Sequence, residues 1–459
     1  MAQRSTWKLT GNPFVDMGQE MMTALARVDH PEELTIEVVE PLLPRLVELY
    51  FQPAWNKTMY SIFPNSPLTN PATKHRRETY LNLLGHWLSL AAHQQDEMIS
   101  DTTCTTCENY AQFYLYRTFL PMADAEGGNF QSYNVQGMPF CGACALAVQF
   151  MPLGVAKVGG QLALPQFSDS FAQYDWCEWC WKQNLIAETT TASGPVDAGT
   201  ARAVNAFFTL IERLLREEAL GHEIPDSSIT LYLFTNYNQG PEIELHYLPT
   251  EVFRFIKQAM SASLQRAWRQ VVRRGYVRKA QKADPETLDE AEQLKKRTNQ
   301  VYERLLHDRP ISSYFVDRHQ RRPVGDWHLL IAYLREVRGM DEPRLASLRS
   351  LGDRIAEIIR NKRKRLLSLE RANRKGEFIE QLYRLSKDAA ALGQERPLIT
   401  FDELVQDVFP HDPEKYESWR EVKWLLLFRV YELLFDELRV DTEWTSSDET
   451  KETLEEVAE

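Results

Sequence analysis

Hydrophobic positions along this 459-residue chain change their spacing near residue 250. Before that point, helical spacing alternates with the two-residue period of strands, whereas helical spacing continues almost without a break from Thr250 to about Arg439. The clearest strand pair covers residues 228–249, where two alternating apolar runs flank the polar loop 236–241. The pattern predicts an α+β fold, with a mixed α/β N-terminal domain over residues 1–250 and an all-α C-terminal helical bundle.

Turn signals divide the N-terminal half into short elements. Gly11-Asn12-Pro13 predicts a turn before a short helix at about residues 17–26, and the Pro/Asn/Ser-rich stretch 61–71 predicts a loop. Residues 144–167 form an apolar run around Gly159-Gly160, which predicts strands joined by a glycine turn.

The C-terminal half carries four helix predictions. An apolar stripe over residues 253–271 predicts one helix, and an Asp-Glu-Pro start predicts a second over residues 341–372. Residues 400–403, Thr-Phe-Asp-Glu, have the capping-box pattern of a further helix start. Residues 419–438 predict the last and most apolar helix.

The net charge of −12 conceals a strong division of charge along the chain. Residues 252–375 contain 30 Lys and Arg against 15 Asp and Glu, a net charge of +15, so the remainder carries −27. Residues 441–459 contain eight acids and one Lys, which predicts a disordered acidic tail. The basic segment suits contact with a polyanion, although solvated helix faces have the same composition.

Composition and motifs narrow the class of protein. Hydrophobic residues make up 43% of the chain, as in globular proteins, and no run of 18 apolar residues predicts a membrane span. Because the first residues lack the apolar core of a secretory signal, we expect a cytoplasmic protein. The chain has none of the common motifs of zinc hydrolases, nucleotide-binding loops or serine hydrolases, so we expect that it is not an enzyme.

All six cysteines fall in Cys-x-x-Cys pairs, at positions 104/107, 141/144 and 177/180. In a reducing compartment, such pairs favour metal binding or redox chemistry over structural disulfides. The first two pairs together supply four thiolates, the closed tetrahedral set of a structural zinc site. The 33 residues between these pairs exceed the spacing of about 15–20 usual in zinc ribbons, which predicts an insertion at about residues 100–145. The predicted zinc ligands are Cys104, Cys107, Cys141 and Cys144.

Two alternatives to zinc remain open for these cysteines. A redox-active pair needs its Cys-x-x-Cys at the start of a helix, and Cys144 is instead predicted to enter a strand. A cluster without metal is the second alternative. The third pair, Cys177 and Cys180, lies beside Trp176 and Trp179 at helical spacing, which favours a buried aromatic helix with unreactive thiols over ligand exchange with the zinc site.

Amide and cationic side chains supply the candidates for nucleic-acid contact. Asn and Gln suit recognition of base edges, but each one alone is more simply explained as a turn former. Cations near residue 75 suit contact with phosphates. Those of the first C-terminal helix do so as well, since no acid occurs between Val252 and Ala283. The candidate base-reading residues are Asn65, Asn70, Asn129, Gln131, Asn134, Asn236, Asn238 and Gln239. The candidate backbone contacts are Lys74, Arg76, Arg77, Arg266, Arg269, Arg273 and Arg274.

Several segments of the N-terminal half together resemble one known family. They are "LTGNPFVDMGQ" at 9–19, "SIFPNSPLTNP" at 61–71, "GGNF" at 127–130 leading to "FCGACALAVQFMPLG" at 140–154, and "FTNYNQGPEIELHYLP" at 234–249. The set resembles the CXXC–CXXC family of large subunits from type I-B CRISPR surveillance (Cascade) complexes. The resemblance covers residues 1 to about 250 and is weaker over the helical half. The extra pair at 177/180 departs from the family pattern.

The resemblance implies a non-catalytic subunit of an RNA-guided complex. In this family the N-terminal domain recognises the protospacer-adjacent motif in duplex DNA and helps to start unwinding, while the C-terminal bundle holds the displaced strand of the R-loop. The implied partners are crRNA, target double-stranded DNA, the backbone, handle-binding and small subunits of Cascade, and a recruited helicase–nuclease or transposition machinery. Because guide pairing reads most of the sequence, the protein needs to read only a short motif.

The resemblance also divides the C-terminal half. Residues 251–339 correspond to a basic helical region, and residues 340–440 to a small-subunit-like helical bundle. Because type I-B systems often translate their small subunit from within the large-subunit gene, we predict a separate product that starts near Met340; an ordinary internal methionine is the alternative. Two other functions remain open for the whole chain: a zinc-containing nucleic-acid-binding factor outside CRISPR, in transcription or RNA processing, and an enzyme with a redox cysteine pair.

Overall fold

The chain folds as two compact units, Met1–Thr250 and Glu251–Glu459. The division falls where the spacing of apolar positions changes. Five candidate amides (Asn129, Gln131, Asn134, Asn238 and Gln239) and the acidic segment 441–459 lie outside the described residues. The computed structural model describes residues 6–93, 97–99, 102–123, 137–189, 194–218, 223–237, 240–276, 289–394, 396–410 and 418–440.

The N-terminal unit combines helices with a central sheet. Its helices are α1 (Pro13–Ala26), α2 (Ile36–Val39), α3 (Leu42–Tyr50), α4 (Pro53–Met59), α5 (Arg76–Ala92), α6 (Gly142–Phe150), α7 (Ser170–Thr189) and α8 (Ala203–Glu218). Its strands are β1 (Phe113–Leu115), β2 (Met138–Phe140), β3 (Ala156–Val158), β4 (Gln161–Phe167), β5 (Val196–Asp197), β6 (Ile229–Thr235) and β7 (Glu242–Leu248). Turns of 3-10 helix cover Pro31–Glu33 and Met151–Gly154.

Five strands form the sheet in the order β5-β3-β4-β6-β7. β5 pairs with β3 in parallel, and the other neighbours are antiparallel. The hairpin predicted at residues 228–249 is confirmed, because β6 and β7 pair from Ile229 opposite Leu248 to Thr235 opposite Glu242. β1 and β2 form a separate two-stranded ribbon.

The prediction of strands across residues 144–167 is wrong for its first half. Helix α6 occupies Gly142–Phe150 with every side chain buried, and the strands begin only at Ala156. A fully buried helix and a fully buried strand both give a continuous apolar run, so periodicity does not separate them. The predicted glycine turn, Gly159-Gly160, does join β3 to β4.

Helix α1 begins at Pro13, earlier than the predicted start near residue 17. The Asn12 side chain caps it by accepting hydrogen bonds from the N–H groups of the second and third helical residues. The Asp16 carboxylate accepts hydrogen bonds from the N–H groups of Thr10 and Gly11 at 2.7 and 2.8 Å. Segment 9–19 therefore contains a turn and a helix start that are joined by hydrogen bonds.

Helix α1 packs closely on helix α6 through a glycine. A Cβ at Gly18 would lie 1.8 Å from the carbonyl oxygen of Ala147, so no other residue fits without moving a helix. This contact fixes α6 and, with it, the second cysteine pair at its N-terminus.

The C-terminal unit is mainly helical. Its helices are α9 (Thr250–Ala259), α10 (Gln265–Arg274), α11 (Glu290–Lys296), α12 (Gln300–Leu306), α13 (Trp327–Glu336), α14 (Glu342–Asn361), α15 (Lys364–Arg371), α16 (Lys375–Ala391), α17 (Ser418–Leu433) and α18 (Phe435–Val440). A short ribbon of β8 (Val316–Asp317) and β9 (Arg322–Pro323) means that the unit is not all-α. A 3-10 turn covers Ser312–Phe315, and a π-helical turn covers Glu403–Val408.

Three helix predictions need correction. The helix predicted over 253–271 is divided into α9 and α10 by the turn at residues 260–264, although its apolar stripe continues through the break. The helix predicted over 341–372 is divided into α14 and α15 near Lys362, within a run of cations whose mutual repulsion disfavours continuous helix. The helix predicted over 419–438 divides into α17 and α18.

A predicted helix start and a predicted capping box are confirmed. The Asp341 carboxylate accepts a hydrogen bond from the Arg344 N–H at 2.9 Å and starts α14. Thr400 and Glu403 exchange hydrogen bonds as a capping box, at 2.8 Å from the Thr400 N–H and 3.2 Å from the Glu403 N–H. The element that this box opens is the π-helical turn rather than an α-helix.

Helix α17 lies at the centre of the C-terminal unit. It contacts α14 as well as β8, β9 and the turn Ser312–Phe315. Its two buried charges are satisfied: Glu421 pairs with Arg338 at 2.8 Å, and Lys423 donates to two backbone carbonyls. The helix therefore packs against chain segments on both sides of Met340.

Candidate metal centre and nucleic-acid surfaces

The first two cysteine pairs meet in the N-terminal unit. The four Sγ atoms lie within 4.8 Å of one another, and those of Cys107 and Cys141 are 3.5 Å apart. All four side chains are buried. A tetrahedral zinc ion with Zn–S bonds of about 2.3 Å requires sulfur–sulfur separations of roughly 3.8 Å, so the spacing fits one metal ion. The four-cysteine cluster consists of Cys104, Cys107, Cys141 and Cys144.

A tight turn presents the first pair of the cluster. The Cys104 N–H donates a hydrogen bond to the Asn109 carbonyl at 2.6 Å and closes the turn that holds Cys107. Thr105 donates from both its N–H and its Oγ1 to the Pro139 carbonyl, at 2.9 and 3.0 Å. These two bonds connect the turn to strand β2, which leads directly to the second pair.

The second pair occupies the start of helix α6. Cys141 is its N-cap and Cys144 lies in its first turn. Gln112 holds this start: its Oε1 accepts from the Gly142 N–H at 2.8 Å, and its Nε2 donates to the Leu90 carbonyl at 3.1 Å. Half of the cluster thus belongs to a core helix, whereas the sequence suggested that all of it lay in an insertion.

One argument against a redox pair is wrong. The sequence suggested that Cys144 enters a strand, but the structure places Cys141-Gly-Ala-Cys144 at a helix N-terminus, as a redox pair requires. The geometry that favours a metal instead is the convergence of all four sulfurs. Cys141 Sγ lies 3.5 Å from Cys107 Sγ, so the second pair is not isolated from the first.

The electrostatics of the cluster favour a bound cation. Hydrogen bonds from the other three thiols, led by Cys107, lower the pKa of Cys104. Hydrogen bonding with the Cys104 sulfur, together with burial and the neighbouring charges, raises the pKa of Cys144. Four thiolates in one buried site repel each other, and a divalent cation between them removes that repulsion. Sulfur ligands suit a thiophilic ion such as zinc, and four of them leave no open position for substrate.

The third pair lies outside the cluster. Cys177 and Cys180 are both buried in α7, beside the buried rings of Trp176 and Trp179. Burial raises the pKa of both thiols well above the ordinary value, which makes them poor nucleophiles. The prediction of a buried aromatic helix is confirmed. The Cys177 Sγ lies 3.7 Å from Met17 Sδ, a packing contact.

Asn236 is not available to read bases. Its side chain is 0% exposed, and its Nδ2 donates to the carbonyls of Ile62 and Arg117 at 2.7 and 3.0 Å. Its Oδ1 accepts from the Met122 N–H at 3.3 Å. This amide therefore joins three segments of the backbone, and its proposed role in base reading is corrected to a structural one.

The other described amides lie in the loop that Asn236 holds. Asn65 is exposed and adopts a left-handed conformation with φ of 62°. The Asn70 Oδ1 accepts from the Ala72 N–H at 2.9 Å, which is the turn-forming role considered from the sequence. Lys74 follows in the same loop and is exposed.

Arg76 and Arg77 begin helix α5 beside this loop. The Arg76 guanidinium donates to the Pro67 and Leu68 carbonyls, so it closes the loop and is half-buried. Both guanidinium groups lie 5.4 Å from the centre of the Phe51 ring. Arg77 is exposed and remains suited to phosphate contact.

The four arginines of α10 separate into two kinds. Arg266 and Arg269 are exposed. Arg273 pairs with Glu290 at 3.3 Å, and Arg274 pairs with Asp317 at 3.2 Å. Burial lowers the pKa of Arg274, although Asp317 opposes the shift. Arg274 therefore holds the β8 ribbon, and its predicted contact with a nucleic-acid backbone is corrected.

Two sets of residues were not predicted from the sequence to have a role. Thr105 and Gln112, which hold the cluster from outside, gave no signal because ordinary polar residues gain this role only through contact. The run 360–365, Arg-Asn-Lys-Arg-Lys-Arg, did give a signal, since five of its six residues are cations.

Comparisons of the chain with protein-family models, with curated proteins and with solved structures each gave no match. Across the described ranges, no helix has both the length and the apolar character that a membrane crossing requires.

Proposed function

We propose that this chain is the non-catalytic large subunit of a crRNA-guided type I-B surveillance complex, of the CXXC–CXXC family. The observation that carries the proposal is the convergence of the two Cys-x-x-Cys pairs in one closed cluster. The segments 9–19, 61–71 and 234–249 follow one another along the chain in the order that the family resemblance implies.

The metal that we propose for the cluster is zinc, in a structural role. Four thiolate ligands satisfy zinc fully, so the ion would supply cross-linking rather than a reactive water. It would join the turn 104–107 to the start of α6, with Thr105 and Gln112 orienting the two halves.

In this proposal, the loop of residues 65–77 recognises the protospacer-adjacent motif. Asn65 and Asn70 are the described amides there, and Lys74 and Arg77 are exposed cations that suit the adjacent phosphates. In the C-terminal unit, Arg266 and Arg269 are the exposed candidates for the nucleic-acid backbone. Guide pairing supplies the remaining specificity.

The proposal places the chain in the cytoplasm with crRNA, target duplex and the other Cascade subunits as partners. A helicase–nuclease or a transposition module would act after it, because the cluster offers no reactive position. A surface that reads a short motif in one unit and a surface that holds phosphates in the other suit a protein that opens a duplex for a guide RNA.

Purification of a tagged chain from its native cell tests the proposal. We expect co-purification with a short RNA that carries repeat-derived ends and with a backbone-forming protein. A chain that binds nucleic acid without a guide RNA or partner subunits would instead support a zinc-containing transcription or RNA-processing factor, and the CRISPR assignment would be wrong.

Charge reversal tests the DNA contacts in the assembled complex. We expect Arg266→Glu with Arg269→Glu to weaken target-DNA binding at least tenfold and to reduce the steepness of its salt dependence. The matched control is Lys57→Glu with Lys182→Glu, two exposed lysines with no proposed contact. Equal effects of the two pairs would remove α10 from the interface.

A further inference from the structure

Strand β7 forms one edge of the five-stranded sheet. Among the strands that the structure describes, it lies last in the order and pairs only with β6. The opposite edge strand, β5, has only two residues, and a short edge strand gives little opportunity for further pairing. β7 has seven residues in unbroken register with β6, and none of them is Lys or Pro. It therefore presents a long row of backbone N–H and C=O groups to a further strand.

The side chains of β7 are exposed along most of this edge. Ile243, Leu245 and Tyr247 are 40%, 57% and 57% exposed. Because alternate residues of a strand share a face, these three form one apolar row, and Glu244 and His246 project from the other face. The His246 Nε2 lies 3.1 Å from the Glu244 carboxylate. A long edge strand with an exposed apolar row is a surface that folded proteins normally cover.

The sequence of β7 is complementary to itself. A two-fold axis perpendicular to the sheet places two copies of the strand antiparallel and keeps each side chain on its own face. With this axis at Leu245, the two Leu245 side chains lie opposite each other, and Ile243 lies opposite Tyr247 of the second copy. On the other face, Glu244 lies opposite His246, so a carboxylate acceptor meets an imidazole donor. Apolar residues therefore meet apolar residues, and polar residues meet polar residues, along residues 243–247.

The neighbouring two-fold registers lack this complementarity. An axis at Glu244 places two carboxylates directly opposite each other, which is unfavourable. An axis at His246 places the Glu244 carboxylate opposite Leu248, an apolar residue that is 0% exposed. The side chains of β7 thus specify the register that is centred on Leu245.

We propose that β7 pairs with β7 of a second copy of this chain, antiparallel and centred on Leu245, so that the two five-stranded sheets join into one. Because the same edge is used by both copies, the pairing closes at a dimer. Two short strands bury less area than a standard protein interface, so we expect a weak dimer with a Kd on the order of 10 μM. The pairing needs neither guide RNA nor DNA, so this inference goes beyond the proposed function and does not rest on it.

Sedimentation equilibrium of the purified full chain tests the pairing. Over concentrations of about 1–100 μM, which bracket the expected Kd, the mass should rise from 53.3 kDa towards twice that value. Leu245→Lys places two like charges opposite each other at the axis, and we expect it to raise the Kd at least about tenfold.

The matched control is Tyr383→Lys, which replaces an apolar ring of similar exposure, 59%, on helix α16. It changes the net charge by the same amount and should leave the Kd unchanged. Because both side chains are exposed, the melting temperatures of the two variants should agree with that of the wild type.

Cysteine cross-linking tests the register. In the proposed dimer, the two copies of residue 245 are directly opposite, whereas the two copies of residue 243 are offset by four positions, roughly 14 Å along the strands. A short bismaleimide should therefore join Leu245→Cys chains into dimers several-fold faster than Ile243→Cys chains. Tyr383→Cys measures random collision, and the wild type, whose six cysteines are buried, measures the background.

Four outcomes would overturn the proposal. They are a wild type that stays monomeric at about 100 μM, a mass that continues to rise beyond two copies, equal Kd values for Leu245→Lys and Tyr383→Lys, and equal cross-linking at residues 243 and 245. A monomeric wild type would instead assign the edge to a strand of another protein. The failure of the proposed function is distinct, because it is the absence of guide RNA from the native complex, whatever the mass of the isolated chain.

Discussion

At the scale of single residues, the six cysteines differ by their neighbours rather than by their motif. All belong to identical Cys-x-x-Cys patterns, yet four converge within 4.8 Å and two lie in the core of α7. Convergence makes the four thiols a candidate ligand set, because four sulfurs at this spacing fit around one metal ion. Isolation in an apolar helix leaves a thiol protonated.

The cluster predicts a metal dependence that one serine tests. We expect Cys141→Ser to lower bound zinc at least tenfold and to destabilise the N-terminal unit, because structural zinc contributes its binding free energy to folding. Metal content by mass spectrometry and the thermal midpoint provide the measurement.

Cys177→Ser is the matched control for this substitution. It changes a buried cysteine outside the cluster, so metal content should stay at the wild-type level even if packing is weakened. An intact fold with undiminished metal in Cys141→Ser would contradict the metal assignment.

Glu20 predicts a pH dependence of stability. This side chain is 2% exposed on α1, and burial, with added repulsion from Asp16 and Glu32, raises its pKa from 4.5 to about 8. The folded state thus retains a proton that the unfolded chain releases between these values. The contribution of Glu20 to stability is fully present below pH 4.5 and is lost as the pH rises through about 8.

Urea unfolding of Glu20→Gln beside the wild type at several pH values measures this contribution. The glutamine stays uncharged, so we expect the variant to gain roughly 2–5 kcal/mol relative to wild type between pH 5 and pH 9. Glu48→Gln, at an exposed position, should show no such change. A difference between wild type and Glu20→Gln that does not vary with pH would show that Glu20 does not titrate in this range.

At the scale of elements, helix α6 determines the position of half of the four-cysteine cluster. Its buried side chains pack on α1 and α5, and its N-terminus carries Cys141 and Cys144. A Cβ on Gly142 would lie 2.4 Å from the Trp87 carbonyl oxygen, so α5 and α6 meet beside the second cysteine pair. The position of the second cysteine pair is therefore a consequence of helix packing.

Two glycine substitutions, one at the close crossing of α1 and α6 and one on an open face of α5, should have opposite effects on stability. Gly18→Ala places a Cβ 1.8 Å from the Ala147 carbonyl oxygen, and we expect a loss of at least about 3 kcal/mol in the free energy of unfolding. Gly85→Ala, in α5 with no atom within 4 Å of its added Cβ, should instead gain about 0.5–1 kcal/mol. Chemical denaturation measures both, and a neutral Gly18→Ala would exclude the close crossing.

At the scale of the whole molecule, the C-terminal unit is continuous across Met340. Met340 is 2% exposed, and its N–H donates to the Leu334 carbonyl at 3.0 Å. Helix α17 contacts elements on both sides of this position. A product that began there would lose the partners of Glu421, namely Arg338 and Tyr333.

Because the C-terminal unit is continuous across Met340, losing contacts between its two parts should lower its free energy of unfolding. We expect Arg338→Gln to destabilise the C-terminal unit by about 3–5 kcal/mol, because Glu421 is left buried without its cation. Arg335→Gln, which removes a half-exposed partner of Glu336, should cost less than about 1 kcal/mol. We also expect residues 340–459 to unfold at lower urea than residues 251–459; equal midpoints would support an autonomous bundle.

Much of the local structure followed from the sequence, because its causes are local. The hairpin of β6 and β7, the cap at Asp341 and the capping box at Thr400 each depend on residues a few positions apart. Helix breaks near residues 262 and 362 did not follow, since an apolar stripe can continue through a turn.

By itself, the sequence determined the four thiols as a candidate ligand set, the change from mixed to helical structure near residue 250, and the division of charge. Residue type and spacing are sufficient for these. Only the tertiary structure decided that α6 is a helix, that Asn236 and Arg274 are occupied inside the fold, and that Arg365 of the run at 360–365 pairs with Asp388. Burial and contacts between distant segments exist only after folding, so no pattern along the chain contains them.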